Sequence, residues 1–134
     1  RFFVNNFRGC TFNGCNGESV VVRVSFFSFS SFSDCNCSSL NAQCVDFSGS
    51  TMKDCDFTGS DILHTNFNGI DCTNTSFNDS DLYFSRFINA KLRKTSFVDC
   101  NLKKVQFIDS LREEVSYKYS NYEEAIFERM KIGT

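Results

Sequence analysis

From Phe47 onward every fifth residue is apolar: Phe47, Met52, Phe57, Ile62, Phe67, Cys72, Phe77, Leu82, Phe87, Leu92, Phe97, Leu102 and Phe107. The same frame run backwards meets Ala42, Cys37, Phe32, Phe27, Val22, Gly17, Phe12, Phe7 and Phe2. Of these 22 positions 21 are apolar, where a hydrophobic content of 41% gives about nine. Two residues before each centre the side chain is mostly small, as in Cys35, Ser50, Cys55, Ser60, Thr65, Thr75, Ser80, Ser85, Ala90, Thr95 and Cys100. The residue just before the centre is often Asp or Asn, as in Asp46, Asp56, Asp61, Asn66, Asp71, Asp81 and Asn101.

Period five suits neither regular element. On an α-helix, centres five apart drift by about 140° and smear around the axis. On a flat strand an odd period throws alternate centres to opposite faces. All centres share one interior only if the chain turns a corner every five residues, so that four corners close a square coil of 20 residues. Such coils stack at strand spacing, about 4.8 Å, and 22 pentapeptides give about five and a half of them, a rod on the order of 26 Å long. The pattern predicts an all-β solenoid over residues 1–110.

Twenty-residue spacing sorts the centres into four walls. One is an unbroken ladder of Phe7, Phe27, Phe47, Phe67, Phe87 and Phe107. The wall facing it reads Gly17, Cys37, Phe57, Phe77 and Phe97, and the other two carry smaller or aliphatic centres. The frame is least regular over residues 15–44, where Gly17, Leu40 and Ala42 fit poorly and a loop or register slip stays open.

After Phe107 the period changes. Val115, Tyr119, Tyr122, Ile126 and Met130 follow helical spacing. Ser110-x-x-Glu113 and Ser120-x-x-Glu123 both read as capping boxes, and Gly133 can end a helix. This predicts a C-terminal α-helical segment over residues 111–134. A solenoid end exposes a core layer and strand edges, so such a helix would serve as its cap. A stripe of Tyr122, Ile126 and Met130, widened by Phe127, could also meet a second copy and make a homodimer.

The unit small–Asp/Asn–Leu/Phe–x–x, quoted as Cys55-Asp56-Phe57-Thr58-Gly59 and Ser80-Asp81-Leu82-Tyr83-Phe84, resembles the pentapeptide-repeat proteins. The resemblance spans roughly residues 2–110 and is most specific over 45–110. It implies a right-handed quadrilateral β-helix, a handedness the period alone does not give. Residues 121–130 are loosely similar to the C-terminal helix of quinolone-resistance pentapeptide proteins. Those proteins dimerise through that helix and bind DNA gyrase as duplex mimics, which gives a second functional reading. Against it, this chain is short, only locally acidic, and lacks the long projecting loops of some such relatives.

Composition narrows the choice further. A chain of 134 residues fits one domain. A net charge of −2 argues against direct nucleic-acid binding, which needs a basic face. The apolar runs, such as Val20-Val21-Val22, are too short to span a bilayer. No signal peptide is visible. The chain begins at Arg1 rather than Met, so an upstream segment is expected, and a fragment of a larger secreted effector stays open.

Eight cysteines invite a disulfide or metal reading, but their phase argues otherwise. Cys10, Cys15, Cys35, Cys55 and Cys100 take the small inward position, and Cys37 and Cys72 take the centre. Only Cys44 faces out. The thiols therefore read as small hydrophobes in a reducing, cytoplasmic compartment. No cofactor, metal site or catalytic group follows from the spacing, and the single His64 falls on an outward corner. The chain reads as a non-enzyme.

The surface offers two candidates for a protein partner. Residues 34–85 carry eight acids against Lys53 alone, and Asp61 stacks on Asp81 at 20-residue spacing. Asp and Asn before each centre equally suit bonds to the turn backbone. The second candidate is apolar: Leu63, His64, Tyr83 and Phe84 point outward on one corner, Leu63 beside Tyr83 and His64 beside Phe84. Exposed aromatic patches favour contacts with other proteins. The leading functional reading is a non-enzymatic interaction or scaffold module that presents a rigid rod to a protein partner.

Overall fold

The computed structural model describes residues 1–129 and is an all-β solenoid of about six square coils. Two walls carry short parallel strands. One sheet joins Phe2–Phe3, Val21–Arg23, Asn41–Gln43 and Asp61–Leu63. The other joins Thr11–Asn13, Ser31–Ser33, Thr51–Lys53, Asp71–Thr73, Lys91–Arg93 and Leu111–Glu113. The remaining walls are laddered by single bridges, such as Asn6 to Phe26 and Asn16 to Asn36. Every pairing is offset by 20 residues, as in Phe2 to Val22, Phe12 to Phe32 and Cys72 to Leu92. The register holds through residues 15–44, so neither a loop nor a slip occurs there.

Hydrogen bonds run along the rod. Asn66 donates to the Val45 carbonyl at 2.9 Å in the coil before, and Phe67 donates to the Arg86 carbonyl at 2.7 Å in the coil after. The small inward position earns its chemistry from the same need to satisfy buried backbone. The Ser80 hydroxyl accepts from the Ser60 amide at 3.1 Å and donates to the Phe57 carbonyl at 3.0 Å. Ser85 repeats this with Thr65 and Ile62 at 3.0 and 2.9 Å. A longer side chain there would displace the centres, and an apolar one gives up both bonds.

Corners impose their own rule. Every fifth residue from Val4 to Tyr119 has positive φ, 19 non-glycine positions and five glycines. Asn, Asp and Gly tolerate this left-handed region best, which explains their frequency at that phase. The Asp or Asn before a centre binds the turn, as expected: Asp46 accepts from the Ser48 amide and Asp56 from the Thr58 amide, both at 2.8 Å.

The C-terminal segment departs from its helical expectation. Leu111–Glu113 is a strand paired with Lys91–Arg93, and Gln106 bridges to Ile126. The only helical turn among the described residues is a 3-10 turn at Tyr122–Glu124. The five-residue frame runs on through Tyr117, Tyr122 and Phe127, and only Arg112 interrupts it. Phe127 stacks on Phe107 at 5.2 Å, and Tyr117 on Phe97 at 5.5 Å, so the ring ladders continue. The supposed caps are inward repeat serines: Ser110 donates to the Phe107 carbonyl at 2.6 Å and Ser120 to the Phe97 carbonyl at 2.5 Å. A finished coil templates the next one strand by strand, and this outweighs a local helical spacing. With no α-helix, Tyr122, Ile126 and Phe127 do not form a dimer stripe, and Met130 lies outside the described residues. The Arg112 guanidinium instead sits 4.6 Å over the Phe127 ring.

Candidate functional site

The four corners run the length of the rod at 20-residue spacing, and three are polar or nearly so. One carries Gly14, Asp34, Asp54, Asn74, Lys94 and Glu114; the next carries Ser19, Ser39, Gly59, Asp79, Asp99 and Tyr119. A third carries Gly9, Phe29, Gly49, Gly69, Asn89 and Asp109. The fourth is different: Val4, Val24, Cys44, His64, Phe84 and Lys104.

That fourth corner is exposed along its whole length, with Val4 at 75%, Val24 at 49% and Phe84 at 40%. His64 stacks on Phe84 with ring centroids 5.1 Å apart and meets Tyr83 edge-on at 5.6 Å. The Lys104 ammonium lies 5.6 Å over the Phe84 ring. Leu63 and Tyr83 are half-buried beside them. The structure thus brings the four apolar candidates together, adds Val4, Val24 and Lys104, which the sequence reading passed over, and sets the outward Cys44 in line with them. The missed signal was the corner phase itself, read at 20-residue steps.

This corner is also a strained one. Val24 has φ 45°, His64 50° and Phe84 63°. A β-branched or bulky residue in the left-handed region costs on the order of 1–2 kcal/mol, which glycine avoids. Val24 keeps 49% of its surface exposed against that cost, whereas Phe84 offsets part of it through His64 and Lys104.

The acidic candidate fares differently. Asp81 is half-buried, accepting from the Tyr83 amide and from the Asn101 side chain, both at 3.0 Å. Its carboxylate is a turn component. Asp61 is exposed and pairs with Asp81 in the ladder. Elsewhere the acids are interrupted: Asn74 donates to Asp54 at 2.7 Å, and Arg93 stands 3.6 Å from Asp71. They do not run as a continuous acidic stripe.

All eight cysteines are free. Cys35, Cys55, Cys72 and Cys100 are buried, Cys10 and Cys37 half-buried, and Cys44 exposed. Cys15, expected inside, is exposed in the first described coil. Burial pushes the thiols of Cys55 and Cys100 up to about 11 and that of Cys37 up to about 12, and raises Cys72 as well. These thiols stay protonated at neutral pH and are poor nucleophiles and metal ligands. Among the described residues no helix is long and apolar enough to cross a membrane.

Comparison with known proteins supports the same architecture. Pentapeptide repeats match in eight copies over residues 30–69, 64–93 and 80–110, more than half of the chain. No curated protein sequence matches. Among solved structures, HetL, a pentapeptide repeat protein involved in heterocyst differentiation regulation in the cyanobacterium Nostoc sp. strain PCC 7120, is 17% identical with a TM-score of 0.58. That match covers 91% of this chain but only 63% of HetL. Rfr23 from the cyanobacterium Cyanothece 51142 is 14% identical, covers 93% and 89% of the two chains, and has a TM-score of 0.48. QnrB1, a plasmid-mediated fluoroquinolone resistance protein, is 16% identical over 94% and 79%, with a TM-score of 0.38. At these identities the likeness is one of fold. With eight repeat copies in the sequence and a square coil every 20 residues, this chain belongs to the pentapeptide repeat family.

Proposed function

We propose that this protein is a non-enzymatic interaction module that docks a protein partner along the corner of Val24, His64 and Phe84. The observation that carries the reading is the contrast between corners: this one gathers Val4, Val24, His64 and Phe84 in the left-handed region, whereas the other three hold one exposed aromatic each at most, Phe29 and Tyr119, among Gly, Ser, Asn and charged side chains. Strand ladders and stacked rings hold this edge rigid, so little ordering entropy is lost when a partner covers it. Val24, Phe84 and the half-buried Leu63 and Tyr83 supply apolar and aromatic anchors, and Lys104 adds a charged rim. Eight free thiols suit work in a reducing compartment such as the cytoplasm.

The test compares opposite corners in asparagine variants, since Asn accepts positive φ. Val24→Asn and Phe84→Asn should each weaken a partner captured by the immobilised rod by at least about tenfold, as hot-spot losses do. Lys94→Asn on the diagonal corner should leave binding unchanged. A partner equally sensitive to Lys94→Asn, or indifferent to both corner variants, would refute the assignment.

A further inference from the structure

The wall of Phe57, Phe77, Phe97 and Tyr117 is a continuous stack, with ring centroids 5.0, 5.2 and 5.5 Å apart. On the N-terminal side of Phe57 the two ring positions hold Gly17 and Cys37 instead. The missing rings leave a cavity of about 250 Å³ with Phe57 as its floor and Phe12, Phe27, Phe32, Leu40 and Phe47 among its walls. It opens toward the first coil, where Phe2, Cys15 and Asn16 are exposed.

Backbone geometry does not require the glycine. Gly17 lies outside the positive-φ positions, and a Cβ on it would meet Cys37 Sγ and the Asn36 carbonyl at an ordinary 3.6 Å. By contrast, Gly49 has φ +67° and a Cβ there would collide with the Phe29 ring at 2.6 Å. A larger side chain at residue 17 would fill space and add core contacts, so stability alone favours one. Between Phe57 and Phe107 the same interior closes completely.

We propose that this cavity binds an uncharged monocyclic aromatic molecule, whose ring takes the place of the absent phenyl rings above Phe57. The walls present phenyl faces and edges at the spacings aromatic pairs prefer, and the thiols of Cys35 and Cys37 add polarisable contacts. Both thiols belong to the apolar lining, which would desolvate a carboxylate without a partner. A dry cavity of about 150 Å³ lined by Leu, Ile and Phe already accepts benzene. At about 250 Å³ this one takes a ring with a short alkyl chain.

Calorimetric titration with toluene and with sodium benzoate tests the site. Toluene should bind the wild type at one molecule per chain, and benzoate should not bind. Cys37→Phe restores one ring, and Gly17→Leu fills the mouth. Each should raise the toluene Kd by at least about tenfold, as loss of a preformed apolar pocket does. Circular dichroism and melting temperature establish which variant is folded, and either folded variant suffices. Absence of toluene binding to the wild type, benzoate binding as well as toluene, or unchanged toluene affinity in a folded filled variant overturns the proposal. These outcomes do not depend on the corner assignment, whose variants leave the cavity lining intact.

Discussion

Between Phe57 and Phe107 every interior centre is buried to 1% exposure or less, whereas in the first coil Phe2 is 38% exposed and Phe7 and Phe12 are half-buried. The side chains are the same; their surroundings are not. Phe77 stacks on Phe57 and Phe97 along its own wall and meets Phe67 and Phe87 edge-on from the wall opposite, both at 5.7 Å. Phe12 has Phe32 on one side at 4.8 Å, and the adjoining wall lacks its rings at Gly17 and Cys37. A phenylalanine in this fold is worth what its neighbours in the next coil and facing wall make it worth. A terminal coil has half of them.

Truncation measures that difference most directly. Phe67 is fully buried, with Phe47 and Phe87 stacked on it at 5.3 and 4.7 Å. Phe67→Ala should cost about 3–5 kcal/mol, because the adjoining rings hold the wall in place and the void cannot collapse. Phe12→Ala, already partly wet, should cost about 1–2 kcal/mol, near half of a full burial. Equal losses in urea melts would erase the distinction between rod centre and rod end.

The thiols sharpen the comparison at high pH. A thiol whose folded pKa is raised stabilises fully below its unfolded value, here 9.0, and loses that contribution as pH climbs through the folded value. Cys37, Cys55, Cys72 and Cys100 are all raised by burial, with Cys55 and Cys100 at about 11 and Cys37 at about 12. Stability should therefore be insensitive to these groups up to about pH 8.5 and fall from about pH 9 upward, by at most about 1.4 kcal/mol per pH unit for each thiol. Cys72→Ala should make the alkaline slope shallower even though it lowers the starting stability. An alkaline slope unchanged by Cys72→Ala would overturn this assignment. Melts between pH 7 and 10 separate the two outcomes.

The centre of the rod was the part most legible from sequence. Twelve phenylalanines in one frame dictate the coil, because no other backbone path brings odd-spaced centres to one interior. Register through residues 15–44 was harder to read, since Gly17 and Ala42 look like faults until the ladder of Val22, Ala42 and Ile62 pairs them. The C-terminal coil was misread for a physical reason. Val115 and Ser120 are repeat small positions and Tyr122 and Phe127 repeat centres, yet their spacing also fits a helix when Arg112 hides the frame. Outward phase alone does not make a side chain free surface: Asn68 holds such a phase, yet its Oδ1 accepts the Ile88 amide at 2.9 Å. The site was half legible, since Leu63, His64, Tyr83 and Phe84 stood out as bulky residues at polar phases. Its continuation to Val4 and Val24 is written in the 20-residue phase of His64 and Phe84, and the coordinates add the positive φ that strains them.

The smallest expected effect concerns that last point and sets corner against corner. Val24 combines φ 45° with 49% exposure, so its side chain brings strain and little burial. Relief of the strain is worth about 1–2 kcal/mol, while glycine makes the unfolded chain about 0.5–1 kcal/mol more favourable through added freedom. Val24→Gly should then stabilise the rod by about 0.5–1 kcal/mol, the balance of those two. Asp54→Gly on the diagonal corner starts from a residue that tolerates φ 55° and gives up the hydrogen bond from Asn74. It should be neutral or slightly destabilising. If chemical melts rank the two variants the other way, Val24 is held by contacts that favour folding, and strain no longer argues that this corner is kept for a partner. If Val24→Gly is the more stable protein and also the poorer binder, the corner trades stability for recognition at a residue where both can be measured.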